Sequence, residues 1–338
     1  MSLLEVTNLD VEYRTSEGPI KAVNDVSFSI DENEKFGLVG ESGCGKSTIA
    51  QSVLRLLPDN GAITNGTIEL DGVDLVTIDD ESLRDIRWDE ISFISQSAMN
   101  ALDPVYTIGG QIIEAIQTHE DIKKKKARKK AEDLVELVGL ERERVDSYPH
   151  QLSGGMRQRA MIAMALALDP RLIIADEPTT ALDVITQDHI LEEINTLTDT
   201  IGSSMFIITH DISVVAETCD KVGVMYGGEL VEAGPIDEVF VDPEHPYTLG
   251  LLNAFPTIDG EEEELITMPG QPPDLRDQPS GCSFYERCPY RVEGCQESNP
   301  ELTRRGESRK AACFESIERD IEAEYESVLE QEDLWLRL

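Results

Sequence analysis

The stretch Gly40-Glu41-Ser42-Gly43-Cys44-Gly45-Lys46-Ser47-Thr48 decides the fold of this chain. It follows the short apolar run Phe36 to Val39 and precedes a helical pattern of apolar residues. The spacing Gly-x-x-x-x-Gly-Lys-Ser lets successive backbone N–H groups converge on phosphate oxygens at a helix N-terminus. We therefore predict a strand, a phosphate-binding loop and a helix, in which Lys46 neutralises the β and γ phosphates and the Ser47 hydroxyl binds Mg²⁺.

The charge of the chain limits its partners. Its 338 residues include 67 Asp and Glu against 29 Lys and Arg, and the net charge is −38. Nucleic acid is therefore excluded as a predicted partner, because phosphate backbones bind basic surfaces. The acidic residues are spread along most of the chain, which is typical of proteins from organisms that keep molar salt in the cytoplasm. An ordinary acidic soluble protein is the alternative.

Membrane and export signals are not found in the sequence. No apolar stretch approaches the roughly 18 residues that a membrane span needs, and Met1 to Glu5 contain neither a basic region nor a cleavage site. We therefore expect a cytoplasmic chain. In that compartment thiols stay reduced, so the six cysteines are not expected to form disulfides.

Two runs before the loop alternate between apolar and polar residues, which predicts antiparallel strands with one solvated face: Leu3 to Tyr13 and Val26 to Ile30. Tyr13 ends the first strand and is predicted to stack on adenine through its ring face. After the loop, the helix is predicted to end at Pro58. Cys44 lies at the N-terminus of that helix, where the helix dipole is expected to favour the thiolate.

Polar side chains end two apolar runs further along the chain. Ile91 to Ser95 is a predicted strand that closes on Gln96, which is expected to reach Mg²⁺ and the attacking water. Met205 to Thr209 is another predicted strand, and it delivers His210. Ligand groups gather at the carboxyl ends of strands in open α/β sheets, so His210 is expected to bond the γ-phosphate.

Two adjacent carboxylates follow the buried-strand pattern Leu172 to Ala175. Asp176 is predicted to hold Mg²⁺ through water, and Glu177 to orient and polarise the hydrolytic water. A solvated turn is the ordinary explanation for such a pair, but the preceding phosphate loop and buried strand favour the catalytic one.

A second candidate phosphate-binding helix start lies in the octet Leu152 to Arg159. Ser153 is predicted to cap the helix, and Gly154 and Gly155 leave its N-terminal amides uncovered. Two such helix ends in one chain suggest that they meet across a dimer. The basic run Lys123 to Lys130 is interpreted as a solvated helix face, in preference to a contact with acidic lipid or an acidic partner.

Taken together, these motifs resemble those of ABC-transporter ATPases. The matching motifs are the Walker A loop Gly40 to Thr48, the Q-loop Gln96, the signature Leu152 to Arg159, the Walker B strand Leu172 to Glu177, the D-loop Asp183 and the switch His210. Three further segments are similar to the di- and oligopeptide and nickel importer branch: Met99 to Pro104, His245 to Leu252 and Pro269 to Leu275. Ser97-Ala98 departs from the pattern of that branch after the Q-loop glutamine.

The resemblance implies an α/β fold with two parts. Residues 1–237 are expected to form a P-loop NTPase ABC ATPase domain with a RecA-like core, an antiparallel β subdomain and a helical subdomain. Residues 238–338 are expected to form a small cysteine-rich C-terminal extension that ends in an amphipathic helix, Ile317 to Trp335.

The resemblance also implies a function and its partners. The chain would hydrolyse ATP to energise import of di- or oligopeptides; import of nickel or another solute, and a soluble non-transport ABC ATPase, remain alternatives. A second ABC ATPase subunit, identical or different, two transmembrane permease subunits and, indirectly, an extracellular solute-binding protein are the implied partners. The chain would then lie peripherally on the cytoplasmic face of the cell membrane.

The implied site residues fall into three groups. The predicted ATP-binding residues are Tyr13, Gly40, Glu41, Ser42, Gly43, Cys44, Gly45, Lys46, Ser47, Thr48, Gln96, Ser153, Gly154, Gly155 and Gln158. The predicted catalytic residues are Glu177, His210, Gln96 and Asp183. The predicted Mg²⁺ ligands are Ser47, Gln96 and Asp176.

Four cysteines in the extension, Cys282, Cys288, Cys295 and Cys313, are separated by 5, 6 and 17 residues. Four thiols in a short cytosolic segment predict a metal site, either an iron–sulfur cluster or Zn²⁺, with free cysteines as the third possibility. Cys-x-x-Cys pairs, the commoner zinc pattern, are absent, and the importer branch implies a [4Fe-4S] cluster, although Arg309 replaces a histidine usual near the last cysteine. Since the segment is poor in large apolar residues, the metal is expected to hold it together, and loss of one ligand is expected to leave ATP binding nearly unchanged.

Overall fold

The computed structural model describes residues 2–95, 101–178, 184–253, 268, 270–276, 278–306 and 308–314. The chain divides into two compact units. The first unit contains Met1–Glu5, Ser29–Lys35 and Glu69–Thr209, and the second unit contains Val6–Phe28, Phe36–Ile68 and His210–Leu338.

The strands, in chain order, are β1 (Ser2–Thr15), β2 (Gly18–Asp31), β3 (Lys35–Val39), β4 (Gly61–Leu70), β5 (Val73–Asp74), β6 (Ile91–Ile94), β7 (Leu172–Asp176), β8 (Ser204–Thr209), β9 (Lys221–Tyr226), β10 (Glu229–Pro235), β11 (Thr303–Arg305) and β12 (Arg309–Ala311). The α-helices are α1 (Lys46–Val53), α2 (Asp80–Asp89), α3 (Ile108–His119), α4 (Lys124–Leu137), α5 (Gly154–Ala165), α6 (Val184–Ile201), α7 (Ile212–Thr218), α8 (Ile236–Val241), α9 (Pro246–Asn253) and α10 (Glu293–Glu297). Short 3₁₀ turns cover Arg142–Asp146, Pro149–Gln151 and Tyr285–Arg287.

The first unit is built on parallel strands. β7 lies between β6 and β8, with Ile91 opposite Leu172 and Ile174 opposite Phe206. Every residue of β7 is buried, as is every residue of β8. Strands covered on both faces read as continuous apolar runs, which is why the sequence pattern identified them.

The second unit carries the strand order β11-β12-β10-β9-β3. β3, which leads into the phosphate loop, pairs in parallel with β9, and β9 pairs antiparallel with β10. The two C-terminal strands continue the same sheet, since β12 pairs with β10 and places Ala311 opposite Glu232. The C-terminal segment therefore contributes strands to the sheet that carries the phosphate loop.

A four-stranded sheet has the order β2-β1-β4-β5. In β2, Val26, Phe28 and Ile30 are buried and alternate with more exposed residues, as predicted for a strand with one solvated face. β1 extends to Thr15 and therefore passes the predicted end at Tyr13.

The helix that follows the phosphate loop is shorter than predicted. α1 ends at Val53, with Leu54 as its C-cap, instead of reaching Pro58. Arg55 takes a left-handed backbone conformation, φ 49°, which ends the helix. Proline therefore marks the loop beyond the helix and not the helix terminus.

The basic run lies at the start of α4. Most of its side chains are exposed, and only Ala127 is buried. Arg128 pairs with Asp146 and Glu132, and Lys130 pairs with Glu120. These contacts agree with the interpretation as a solvated helix face.

The C-terminal segment has a substantial apolar core, contrary to the expectation that it buries little. Tyr247, Leu251, Phe284 and Tyr290 are buried in one cluster together with Tyr226 and with valines of β3, β9 and β10. The Phe284 ring meets those of Tyr226 and Tyr247 at centroid distances of 5.2 and 5.5 Å, both edge-on. Packing of aromatic side chains therefore joins this segment to the rest of the second unit.

Several predicted features lie outside the described residues: Gln96 with Ser97-Ala98, Asp183 and the terminal helix. None of the helices in the described part of the chain combines the length and the apolarity that crossing a lipid bilayer requires.

Phe284→Ala tests the contribution of this aromatic core. Phe284 is 1% exposed, so truncation should lower the free energy of unfolding of the second unit by about 3–5 kcal/mol. Urea denaturation followed by the near-ultraviolet circular dichroism of the tyrosines measures this. Phe314→Ala is the matched control, because Phe314 is 43% exposed and its truncation should cost less than about 0.5 kcal/mol. Equal effects of the two substitutions would contradict a core at Phe284.

Candidate nucleotide-binding site

The phosphate loop lies against neighbouring backbone at two glycines. Gly40 has φ 153°, and a Cβ atom there would lie 2.2 Å from the Met225 carbonyl oxygen. Gly45 has φ 106°, and a Cβ atom would lie 2.2 Å from the Ala22 carbonyl oxygen. Any side chain at these positions would displace the loop, so the two glycines are required by close contact as well as by backbone conformation.

Lys46, the first residue of α1, follows Gly45 directly in the chain. The Lys46 residue is 5% exposed, and its ammonium donates hydrogen bonds to the carbonyl oxygens of Gly40 at 2.7 Å and Glu41 at 2.8 Å. Gly45 is the N-cap of α1, and no side chain caps the first N–H groups of that helix. The loop thus places an ammonium and uncapped helix N–H groups together, which is the arrangement that binds phosphate.

Tyr13 is attached to the same helix. Its hydroxyl lies 3.2 Å from Oγ1 of Thr48, within hydrogen-bond distance, and either oxygen can be the donor. This contact fixes the ring beside the start of α1. Its stacking on adenine stays a prediction.

The expectation for Cys44 is wrong. Cys44 is buried, and burial raises the pKa of its thiol, an effect that the nearby Lys46 ammonium only partly offsets. The Lys46 ammonium lies 3.7 Å from the sulfur. Desolvation therefore outweighs the helix dipole, and the thiol stays protonated at neutral pH.

Glu41 is held by two residues of the C-terminal segment. Its backbone N–H donates to the Tyr247 hydroxyl at 3.0 Å. Its carboxylate accepts two hydrogen bonds from the guanidinium of Arg287, at 2.8 and 2.9 Å. These two residues are 206 and 246 positions away in sequence, and sequence reasoning missed both, because no local pattern relates them to the loop.

Arg287 is enclosed by aromatic rings. The residue is 5% exposed, and its guanidinium lies 5.6 Å from the centre of the Tyr226 ring and 5.9 Å from that of Phe284. It also donates to the Tyr226 hydroxyl at 3.2 Å. Burial alone would lower the pKa of Arg287, but the hydrogen bonds with Glu41 and Tyr226 raise it, so the side chain stays charged.

The paired carboxylates lie in the first unit. Asp176 is buried at the end of β7. Glu177 follows with φ 46°, a left-handed conformation that is uncommon for a residue other than glycine. Its backbone N–H donates to the Ile208 carbonyl of β8 at 2.8 Å, which holds this conformation in place.

The signature segment forms a helix start as predicted. The Ser153 side chain accepts a hydrogen bond from the backbone N–H of Met156 at 3.3 Å and caps α5. Gln158 is buried, and its amide donates to the Pro178 carbonyl at 2.6 Å. Gln158 therefore connects α5 to the turn after Glu177, and its direct binding to nucleotide stays a prediction.

Tyr13, the phosphate loop and His210 all belong to the second unit. Asp176, Glu177, Ser153 and Gln158 belong to the first. His210 is exposed and follows β8 directly in the chain.

The four cysteines of the C-terminal segment form no disulfides among the described residues, and they lie close enough to interact electrostatically. The Cys282 N–H donates to the Cys295 carbonyl at 2.8 Å. Burial, together with the charges of Cys295 and Cys313, raises the pKa of Cys282 to about 11; burial also raises the pKa of Cys288. Four thiols suit an iron–sulfur cluster or zinc, but among the described residues no three His, Cys, Asp or Glu side chains form a group that could hold a metal ion.

Arg309, which stands where a histidine is usual in the importer branch, has a structural role. Its guanidinium pairs with Glu244 at 2.6 Å and with Asp242 at 3.0 Å. These ion pairs connect β12 to the segment before α9.

Two family models match the chain. Residues 23–180 match the model described as ABC transporter, and residues 231–295 match the model described as the C-terminal region of oligopeptide and dipeptide transporters.

Characterised relatives and solved structures agree with these matches. The oligopeptide transport ATP-binding protein OppD of Bacillus subtilis (strain 168) is 45% identical over 304 residues, which are 89% of this chain and 85% of that protein. The dipeptide transport ATP-binding protein DppD of the same organism is 45% identical over 315 residues, 92% of this chain and 94% of that protein. The dimeric, post-hydrolysis structure of the ATP-binding cassette MJ0796 bound to ADP and Pi has a TM-score of 0.63 and 30% identity, and the match covers 69% of this chain and 98% of that chain.

Proposed function

This chain belongs to the ABC transporter ATP-binding family, in its oligopeptide and dipeptide branch, and from that premise we propose that it energises the import of di- or oligopeptides. It is an ATPase of the ABC type. The named activities of OppD and DppD support the peptide assignment. Within the structure, the observation that carries the proposal is the phosphate loop, where Lys46 and the uncapped start of α1 lie together.

We assign the binding of ATP to the phosphate loop. The loop N–H groups between Gly40 and Thr48 bind phosphate oxygens, and the Lys46 ammonium neutralises the β and γ phosphates in exchange for its present carbonyl partners. Tyr13 stacks on the adenine ring. Ser153, Gly154, Gly155 and Gln158 of the signature segment belong to the ATP site of a second subunit.

The chemistry is assigned to the groups after β7 and β8. Ser47, Gln96 and Asp176 are the proposed ligands of Mg²⁺, which would neutralise charge on the phosphates when bound. Glu177 accepts a proton from the attacking water and orients it, while His210 bonds the γ-phosphate, and Asp183 of the D-loop is a further proposed catalytic residue. Donors placed where charge develops stabilise the transition state most when the site excludes water, so closure of two subunits would gate hydrolysis.

The proposed partners follow from this arrangement. A second ABC ATPase subunit, identical or different, completes the site, and the dimeric MJ0796 cassette supports such pairing. Two transmembrane permease subunits and an extracellular solute-binding protein complete the importer, with this chain on the cytoplasmic face of the membrane. Nickel or another solute is the second candidate cargo.

We divide the chain at residue 237 into an ATPase domain and a C-terminal extension with a cysteine site. The presence of four thiols in this segment supports a [4Fe-4S] cluster, with zinc as the alternative, although in the described residues the thiols do not form a metal-binding group. The acidic surface, with 67 acidic against 29 basic side chains, supports adaptation to molar salt.

Glu177→Gln tests the catalytic assignment. The amide keeps the size of the side chain but cannot accept a proton, so the variant should bind ATP with parental affinity and lose hydrolysis by a factor of about 100 or more. Phosphate release by the assembled transporter measures turnover. The control is Glu192→Gln, an exposed glutamate of α6, which should hydrolyse ATP at the parental rate. Parental turnover by Glu177→Gln would remove Glu177 from the mechanism.

Metal analysis tests the cysteine site. Protein purified without oxygen should contain about four iron atoms and four acid-labile sulfides per chain, and Cys282→Ser should lose them. Cys219→Ser, which changes a cysteine outside the group, should retain them. Detection of zinc without iron would contradict the cluster and support a zinc site. Absence of both metals would contradict the cluster and the zinc site alike.

Thermal unfolding in salt tests the halophilic assignment. The Debye length falls from about 10 Å at 0.1 M to about 3 Å at 1 M salt, so repulsion between surface carboxylates weakens. The midpoint of unfolding should therefore rise by several degrees when KCl increases from about 0.1 M to about 2 M. Sucrose of equal osmolality is the control, because it stabilises without screening charge. An equal rise in both solutes contradicts a specific adaptation to salt.

A further inference from the structure

Every polar group of Glu41 in the phosphate loop has a partner. Its N–H donates to the Tyr247 hydroxyl, and its carbonyl accepts from the Lys46 ammonium at 2.8 Å and from the Cys44 N–H at 3.4 Å. Its carboxylate forms the two-bond ion pair with Arg287. The second residue of the loop is thus fixed at its backbone and at its side chain.

Two of these partners come from the C-terminal segment and are themselves rigid. Tyr247 is fully buried, and its ring lies 4.6 Å from the ring of Tyr226. Arg287 is confined by Tyr226 and Phe284. Tyr247 belongs to one packed aromatic cluster and Arg287 lies against two of its rings, so together they hold Glu41 in one position.

The carboxylate of Glu41 needs neutralisation for an electrostatic reason. It lies in the loop whose N–H groups are assigned to the negatively charged phosphates. An unpaired carboxylate there would repel a nucleotide, and the repulsion would increase with the number of phosphate charges. Arg287 supplies the opposite charge from a side chain that solvent hardly reaches, so salt screens the pair little.

We propose that Arg287 and Tyr247 are positioning residues for nucleotide binding: through Glu41 they fix the phosphate loop and cancel its negative charge. The C-terminal segment thereby sets the affinity of the loop for ATP. This inference rests on the proposed function, because it assigns a role in the same phosphate-binding site.

The proposal differs from the expectation, made from the sequence, that loss of a cysteine ligand leaves ATP binding nearly unchanged. Arg287 immediately precedes Cys288, and Cys288 packs in the same cluster as Tyr247 and Phe284. A substitution that disorders the cysteine segment would therefore displace Arg287, which is adjacent to Cys288. That displacement would weaken the ion pair between Arg287 and Glu41 of the phosphate loop. Nucleotide affinity should report on the state of this segment.

Equilibrium titration of the full-length chain with MgATP and MgADP tests the charge contribution. Arg287→Ala should raise the Kd for MgATP on the order of tenfold, and that for MgADP by less, because ADP carries less charge. Glu41→Gln removes the carboxylate charge but keeps a hydrogen-bonding side chain, so it should weaken MgATP binding less than Arg287→Ala does. The double variant Arg287→Ala/Glu41→Gln should regain most of the lost affinity. A purely structural role predicts losses in both single variants and no recovery, so that pattern overturns the proposal.

Three further variants separate charge, geometry and folding. Arg287→Lys keeps the cation and should bind MgATP better than Arg287→Ala, even where the alanine variant folds poorly. Tyr247→Phe keeps the ring packing and removes only the acceptor for the Glu41 N–H, so it should weaken binding a few-fold at unchanged thermal stability. Arg276→Ala is the matched control, an exposed arginine of the same segment paired with Asp274, and should bind like the parent.

Lys46→Ala distinguishes failure of this inference from failure of the proposed function. If the parent chain binds MgATP, Lys46→Ala does not, and Arg287→Ala binds like the parent, then only the role of Arg287 is refuted. If the parent fails to bind MgATP, or Lys46→Ala binds it equally well, the proposed function itself is refuted.

Discussion

The structure depends on the close confinement of the phosphate loop. At Gly40 and Gly45 the loop approaches the carbonyls of Met225 and Ala22 so closely that a single added carbon would collide with them. A loop that must present backbone N–H groups to a ligand cannot be held by its own side chains at those positions. Its position is therefore set by its neighbours: β2 at Ala22, the end of β9 at Met225, and the C-terminal residues Tyr247 and Arg287.

The main contribution of the ion pair between Arg287 and Glu41 is to fix the position of the phosphate loop. Burying two charges costs several kcal/mol each, and their attraction often does no more than offset that cost. Removal of one partner alone costs about 3–5 kcal/mol, since the other charge remains buried. Such a pair adds little net stability but penalises every other arrangement of the loop. The aromatic cluster, by contrast, supplies apolar burial, which is the larger stabilising contribution of the C-terminal segment.

The sequence predicts correctly those structural features that a local pattern of residues encodes. The loop spacing, the buried runs of β7 and β8, and Ser153 as the cap of α5 are each specified within a few residues, and the structure contains them. The end of α1 was predicted too late in the chain. Arg55 adopts a left-handed conformation that ends the helix, and no glycine at that position predicts it. The core of the C-terminal segment was missed because Tyr226, Tyr247 and Phe284 are far apart in sequence and show no period. Cys44 was misjudged because burial, which depends on the whole fold, outweighs the local helix dipole.

At Glu177 the backbone conformation favours glycine, whereas the proposed chemistry requires a carboxylate. Its left-handed conformation is one that glycine adopts at no steric cost, whereas a residue with a Cβ is strained there by about 1–3 kcal/mol. The hydrogen bond from its N–H to the Ile208 carbonyl continues the pairing of β7 with β8 up to the point where the chain leaves β7. Arg55 and Asp71 also adopt left-handed conformations in this chain, so strain alone does not identify a functional side chain. The proposed role of Glu177 in activating water therefore rests on the motif and on its position directly after β7.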